Sequence, residues 1–124
     1  MAEIDKAASA GTEAGAAFTA SLRTADDGAV VAVSGEIDLA SADEFRRVVA
    51  EGLDRAAGRL VIDLAGVQLL TSAGLSVLAE MHEKARGAQR ELVVRTAGAP
   101  RIVDQAVKAV GLDQVLPVED EAGA

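Results

Sequence analysis

The sequence predicts a single α/β domain with a small mixed β-sheet of four to five strands flanked by helices. The chain has 124 residues, enough for one hydrophobic core but short for two domains. Apolar runs typical of strands alternate with patterns of helical period, an order that predicts helices packed on a sheet. Half of the residues are hydrophobic but only 2% are aromatic, so Val, Leu, Ile and Ala must build the core.

Two strands are expected to open the domain, which we place at 16–118. Residues 1–15 are rich in Ala and Gly and carry few bulky side chains, so they predict a flexible arm. Apolar and polar residues alternate over 18–23, and residues 29–33 are apolar throughout. Because Asp-Asp-Gly at 26–28 is a turn signal between these runs, a β-hairpin is expected.

A well-marked helix follows this hairpin. Ser41 with Glu44 three residues later predicts a capping box at its start, and Gly58 is placed to end it. Its apolar residues recur at helical spacing, so one face should pack on the core. These residues are Phe45, Val48, Val49, Leu53 and Ala56.

A buried strand at 60–62 leads into a second helix, expected over 72–86 and ended by Gly87. The apolar run 92–94 predicts another strand, and Pro100 suits the first turn of a third helix. The residues expected to face the core are Leu75, Leu78, Ala79 and His82, widened by Val77, Met81 and Ala85, in the second helix and Ile102, Val103, Ala106, Val107 and Val110 in the third.

After the third helix, the C-terminal part of the chain is expected to form a helix stop, a short edge strand and an exposed tail. Gly111 predicts a left-handed stop after the third helix. Residues 115–118 are expected to add a short edge strand, and 119–124 read as a solvated acidic tail.

Composition narrows the possible partners and cofactors. With 20 acidic and 12 basic residues the net charge is −8, which disfavours binding to nucleic acid or to anionic membranes. The absence of cysteine excludes disulfides and thiolate metal sites. No signal sequence or membrane-spanning run is apparent. We therefore expect a cytoplasmic protein that binds another protein and has no cofactor or metal.

The sequence contains few groups that suit catalysis. His82, the only histidine, lies about ten residues after Ser72 on the same predicted helix, roughly 15 Å away by helical rise, so it cannot act as a base for Ser72. No phosphate-binding glycine loop is present. We therefore expect no enzymatic activity.

Two carboxylates, Asp38 and Asp63, follow buried strands and are candidate residues of a functional site. The ends of parallel strands meet at one edge of a sheet, so Asp38, Asp63 and Ser72 are placed to converge there. The alternative is structural, with Asp38 in a turn or cap and Asp63 accepting bonds from the next loop's N–H groups. A metal would need more oxygen ligands than these two acids provide.

Ser72 stands where a strand meets a helix. The N–H groups of a first helical turn lack partners and carry partial positive charge, so a phosphate on Ser72 would be stabilised. No carboxylate occurs from Thr71 to Leu78 to neutralise this charge. The structural alternative is a helix cap made by Ser72 or by Thr71. Gly74 is costly in a first turn, which suggests a close approach there.

Three segments in order resemble the STAS domain family, specifically the bacterial anti-sigma factor antagonists. They are Gly-Glu-Ile-Asp-Leu-Ala at 35–40, Leu-Val-Ile-Asp-Leu-Ala-Gly-Val at 60–67 and Thr-Ser-Ala-Gly-Leu at 71–75. The resemblance spans about 18–118. It implies a STAS fold, which is also a mixed sheet flanked by helices.

The resemblance also implies a function and a site. Ser72 matches a serine that an anti-sigma factor serine kinase phosphorylates. The unphosphorylated antagonist binds this kinase and releases a sigma factor; phosphorylation blocks the binding, and a phosphatase restores it. Many members carry Asp before the serine, whereas this chain has Thr71, a second candidate acceptor. The expected partner-binding residues are Asp38, Asp63, Thr71, Ser72, Ala73 and Gly74.

Two other functions are compatible with the sequence. One is a STAS scaffold that binds its partners constitutively, with Ser72 only capping a helix. The other is a small enzyme or nucleotide-binding domain that uses the edge of the sheet, which the missing base, metal cluster and phosphate loop disfavour. Partner switching in stress response and transcription regulation remains the function that the resemblance implies.

Overall fold

The β-sheet has six strands in the part of the chain that the computed structural model describes, residues 6–10 and 17–120. Neighbouring strands follow the order of the chain. The first two pairings are antiparallel and the last three are parallel. The strands are β1 (Lys6–Ala10), β2 (Phe18–Ala25), β3 (Gly28–Ile37), β4 (Arg59–Leu70), β5 (Glu91–Arg95) and β6 (Val118–Glu119).

Helices connect the parallel strands. They are α1 (Ala42–Arg55), α2 (Ser72–Gly87) and α3 (Arg101–Ala109), and a short 3-10 helix, Leu112–Gln114, precedes β6. Residues from all three helices join a single hydrophobic core, as expected when successive neighbouring parallel strands are joined by crossovers of the same hand. Leu60, Ile62 and Leu64 of β4 belong to this core, as strand alternation requires. The predicted mixed α/β domain is confirmed.

β4 determines where the ends of the strands meet. It continues past Asp63, where its pairing with β5 ends, and stays paired with β3 through two register shifts. Its last residue, Leu70, lies opposite Ile37, the last residue of β3. The two strands therefore end together, which brings the residues after Ile37 next to those after Leu70.

The N-terminal elements largely match the prediction. The hairpin of β2 and β3 is confirmed, and the five apolar residues expected on the inner face of α1 are buried. The capping box is wrong: Ser41 occupies the N-cap position but its hydroxyl makes no cap bond, because it bonds within the preceding loop instead. α1 ends at Arg55, three residues before Gly58.

The expected inner faces of α2 and α3 need correction. In α2 the predicted Val77, Leu78, Met81 and Ala85 are buried, whereas Leu75 and His82 are only half-buried and Ala79 is exposed. The buried row begins at Gly74 and is turned away from Ala79. In α3, Val103 and Val107 are buried, but Ile102 and Val110 are each 58% exposed. β6, the neighbouring edge strand, has only two residues, so little sheet lies beneath a wider helix face.

The termini differ in part from the expected arm and tail. Residues 6–10, expected within a flexible arm, form β1 and extend the sheet beyond the expected four to five strands. Residues 1–5 and 11–15 of the arm, residue 16 and residues 121–124 of the tail lie outside the described residues. Glu119 belongs to β6, and the carboxylate of Asp120 accepts a hydrogen bond from Lys108 Nζ at 2.6 Å. Gly111 adopts the expected left-handed conformation, with a φ of 79°.

Candidate phosphorylation and partner surface

An open hollow lies where β3 and β4 end and α2 begins. We call it the Ser72 surface. It brings two predicted site residues from distant parts of the sequence, Asp38 and Ser72, onto one surface, together with the predicted Thr71 and Ala73. Its lining residues are Asp38, Leu39, Thr71, Ser72, Ala73 and Ser76.

Thr71 joins the ends of the two strands. Its backbone N–H and its hydroxyl Oγ1 both donate to the carbonyl oxygen of Ile37, each at 3.0 Å. Thr71 occupies the N-cap position of α2 but makes no side-chain cap bond, so the predicted alternative of a capping hydroxyl is wrong for this residue. Its hydroxyl instead fixes the position of the α2 N-terminus relative to β3.

Ser72 is the first residue of α2, and its side chain is exposed. Among the described residues its hydroxyl has no hydrogen-bond partner, so it is not a capping group. The first intrahelical bond runs from Leu75 N to Thr71 O at 3.0 Å, which leaves the N–H groups of residues 72–74 without helical partners. No acidic residue occupies this first turn. The surroundings therefore suit an added anion.

Asp38 is held in a fixed loop directly after β3. Its Oδ1 accepts a hydrogen bond from Ser41 N at 3.1 Å, and its own N–H donates to Ser41 Oγ at 3.0 Å. The Ser41 hydroxyl lies 3.0 Å from the carbonyl oxygen of Glu36 and 3.2 Å from Asp38 Oδ1, both of which can accept its proton. Ser41 is only 1% exposed, so these bonds are shielded from water.

Asp63 does not join the Ser72 surface, and its expected convergence with Asp38 and Ser72 is wrong. It lies within β4 rather than at its end, on the face of the sheet opposite the helices. Its Oδ1 accepts a hydrogen bond from Ala65 N at 3.0 Å, as in the structural alternative. It lines a second hollow, with a volume of about 400 Å³, together with Thr19, Ser21 and Ser34 among others.

Gly74 is buried beneath the Ser72 surface instead of lining it. A Cβ at this position would lie 2.6 Å from both Ile37 Cγ2 and Leu70 Cδ1. The close approach that Gly74 suggested is therefore made by the ends of β3 and β4 and not by a ligand. Gly74 acts by allowing α2 to pack tightly against both strands.

An ion-pair bridge links α1 to α2. Arg46 Nε donates to both carboxylate oxygens of Glu80 at 3.1 Å, and Arg46 NH1 donates to Asp43 at 2.6 Å. The hydrogen bond to Glu80, followed by that to Asp43, holds the pKa of Arg46 above its ordinary value. Arg46 thereby connects the two helices through its side chain.

Three residues near this surface were not singled out from the sequence as functional. Leu39 is 85% exposed and directly follows Asp38 in the loop before α1. Ser76 lies one helical turn after Ser72, a spacing that the sequence shows. Ser41 was assigned to a helix cap, and its role in holding Asp38 depends on the loop conformation.

Residues 6–10 and 17–120 show neither a metal-binding cluster nor a membrane-spanning helix. No group of three or more His, Cys, Asp or Glu side chains in this range is placed to hold a metal ion. In the same range, no helix is long and apolar enough to cross a membrane.

Comparisons with known proteins agree with the fold and with the motifs that resemble STAS domains. Residues 20–117 match the family model described as "Mlab, STAS domain". The chain is 34% identical over 86 residues to the anti-sigma-F factor antagonist RsfB of Mycobacterium tuberculosis, covering 69% of this chain and 68% of RsfB.

Solved structures of anti-sigma factor antagonists are similar to this chain in fold. An anti-sigma factor antagonist from Mycobacterium paratuberculosis superposes with a TM-score of 0.71 at 29% identity, covering 85% of this chain and 87% of that one. The unphosphorylated form of the antagonist SpoIIAA shares the fold, with a TM-score of 0.61 at 12% identity and coverage of 83% and 89%. This chain belongs to the STAS domain family, among its anti-sigma factor antagonists.

Proposed function

We propose that this chain binds an anti-sigma factor with serine kinase activity and that phosphorylation of Ser72 ends this binding. The supporting observation is the exposed hydroxyl of Ser72 at the start of α2, which bonds to no described residue and lies on the same surface as Asp38. In the unphosphorylated state the chain releases a sigma factor from its anti-sigma factor. A phosphatase reverses the modification, and the cycle regulates transcription in the cytoplasm during stress.

Electrostatics supports both halves of this switch. A phosphate on Ser72 adds about 1.5 to 2 negative charges at neutral pH. The free N–H groups of the first turn of α2 stabilise these charges, so the phosphorylated chain stays folded. At the same surface Asp38 is already negative, so a partner that accepts one carboxylate meets a much larger negative charge after phosphorylation. Binding then weakens without any change of fold.

The acceptor is Ser72 and not Thr71. The Thr71 hydroxyl donates to the Ile37 carbonyl at 3.0 Å and is half-buried, so a kinase would have to break this bond first. The Ser72 hydroxyl has no such bond among the described residues. Access therefore favours Ser72 within the pair of adjacent hydroxyls.

Mass spectrometry after incubation with a purified anti-sigma kinase and ATP tests the proposal. We expect one phosphate on wild type and none on Ser72→Ala, which should still bind the kinase because the Ser72 side chain bonds to no described residue. Ser76→Ala is the matched control, since Ser76 is an exposed serine on the same surface. This control should be phosphorylated as wild type is.

Binding measurements complete the test. Ser72→Asp should fold but bind the kinase poorly, although one carboxylate carries less charge than a phosphate. Phosphate found only on Thr71 would move the switch by one residue. Kinase binding by wild type with no phosphate on either hydroxyl would instead support a constitutive scaffold.

A further inference from the structure

Leu39 is the most exposed large hydrophobic side chain in the described part of the chain. It is 85% exposed, whereas the others of this kind are between 37% and 58% exposed. A single exposed leucine is common on protein surfaces and needs no explanation by itself. Leu39 differs from other exposed apolar side chains in two ways: it lies on the Ser72 surface, and its loop has a fixed conformation.

The loop that carries Leu39 is fixed at both ends. Before Leu39, the Asp38 backbone and carboxylate both bond to Ser41. After it, Ser41 is almost fully buried and is anchored to Glu36 through its hydroxyl. A rigid loop loses little conformational entropy on binding, so a side chain that it presents contributes more of its contact energy to affinity.

The surroundings of Leu39 suit the centre of a protein interface. Thr71, Ser72, Ala73 and Ser76 are small and uncharged, and Asp38 is the one charged residue lining this surface. Interface centres are depleted in charged residues, and anchor side chains there fill pockets of the partner.

We propose that Leu39 is the apolar anchor through which the anti-sigma kinase docks. The inference rests on the proposed function, because the partner is the protein that acts on Ser72. Leu39 and Ser72 line one surface, so the kinase must carry an apolar socket beside its phosphate-transfer site. A cation at the rim of that socket faces the carboxylate of Asp38. Leu39 therefore sets affinity, while Ser72 carries the switch.

Calorimetry with the purified anti-sigma kinase and ADP tests this anchor without any phosphoryl transfer. Leu39→Ala should raise Kd at least about tenfold, the range of an interface hot spot. Leu39→Met, which keeps the apolar volume, should bind within about threefold of wild type. Val115→Ala is the control, because Val115 is 57% exposed but precedes β6, separated from β3 by two strands. Its Kd should stay within twofold.

The outcomes separate this inference from the proposed switch. If Leu39→Ala binds within twofold of wild type, or if Val115→Ala weakens binding as strongly, the anchor is refuted even when Ser72 is phosphorylated. If Leu39→Ala weakens binding while Ser72 receives no phosphate from ATP, the anchor stands and the switch fails. A kinase that does not bind wild type refutes both. Equal melting temperatures of the variants exclude unfolding as the cause.

Discussion

The surroundings of Asp38 and Asp63 differ although both acids follow apolar strand sequences. Asp38 lies beyond the end of β3, where a loop fixed by Ser41 places it on the Ser72 surface. Asp63 lies inside β4, which continues for seven more residues, and it bonds to Ala65 on the other face of the sheet. An acid after an apolar run therefore reaches a functional edge only where the strand really ends.

The largest effect expected from this comparison concerns Gly74, which allows the strand ends to meet α2. Gly74→Ala should lower the free energy of unfolding by about 1 to 3 kcal/mol, because its Cβ would lie 2.6 Å from Ile37 Cγ2 and Leu70 Cδ1. Ile37 is β-branched, and its side chain can move little to relieve the clash. Chemical denaturation measures the change.

Gly87→Ala provides the matched control on the same helix. A Cβ at Gly87 meets nothing within 4 Å, so alanine should stabilise the protein by about 0.4 to 1 kcal/mol by restricting the unfolded chain. The two substitutions are thus expected to have opposite signs. A neutral or stabilising Gly74→Ala would show that α2 and the two strand ends do not need this close packing.

An intermediate effect should separate the two carboxylates directly. Asp38→Asn keeps an oxygen that accepts the Ser41 N–H bond but removes the charge, so it should weaken kinase binding about tenfold with stability nearly unchanged. Asp63→Asn should leave binding within twofold, because Asp63 lies on the opposite face of the sheet. Calorimetry and thermal melting measure the two properties. If Asp63→Asn weakened kinase binding as much as Asp38→Asn, the two acids would not belong to functionally separate regions.

Local patterns were sufficient for the elements that depend on local contacts. The hairpin around 26–28 and the inner face of α1 follow from turn residues and helical spacing, and both agree with the structure. The start of α2 at Ser72 was also visible, because an apolar run gives way to helical periodicity there. These local signals suffice to predict Ser72 as a candidate phosphorylation site.

Other features depend on contacts between distant residues. Residues 64–70 contain Ala, Gly and Gln and look like a loop, but pairing with β3 makes them part of β4. Because β4 continues to Leu70, Asp63 lies within the strand and not at the predicted site. The exposure of Ile102 likewise depends on the short edge strand near α3, and the bonds of Ser41 depend on the loop before α1. Periodicity along the chain contains none of this information.

The smallest expected effect concerns Thr71, which lies at the border between structural and functional roles. Thr71→Val removes the hydroxyl that donates to Ile37 O, but that carbonyl still accepts the backbone N–H of residue 71 at 3.0 Å. Since no buried acceptor loses all its partners, we expect a loss of about 1 kcal/mol or less by denaturation. Phosphate incorporation should stay at one per chain, on Ser72. Loss of phosphate from Thr71→Val with normal kinase binding would instead identify Thr71 as the acceptor and Ser72 as its neighbour.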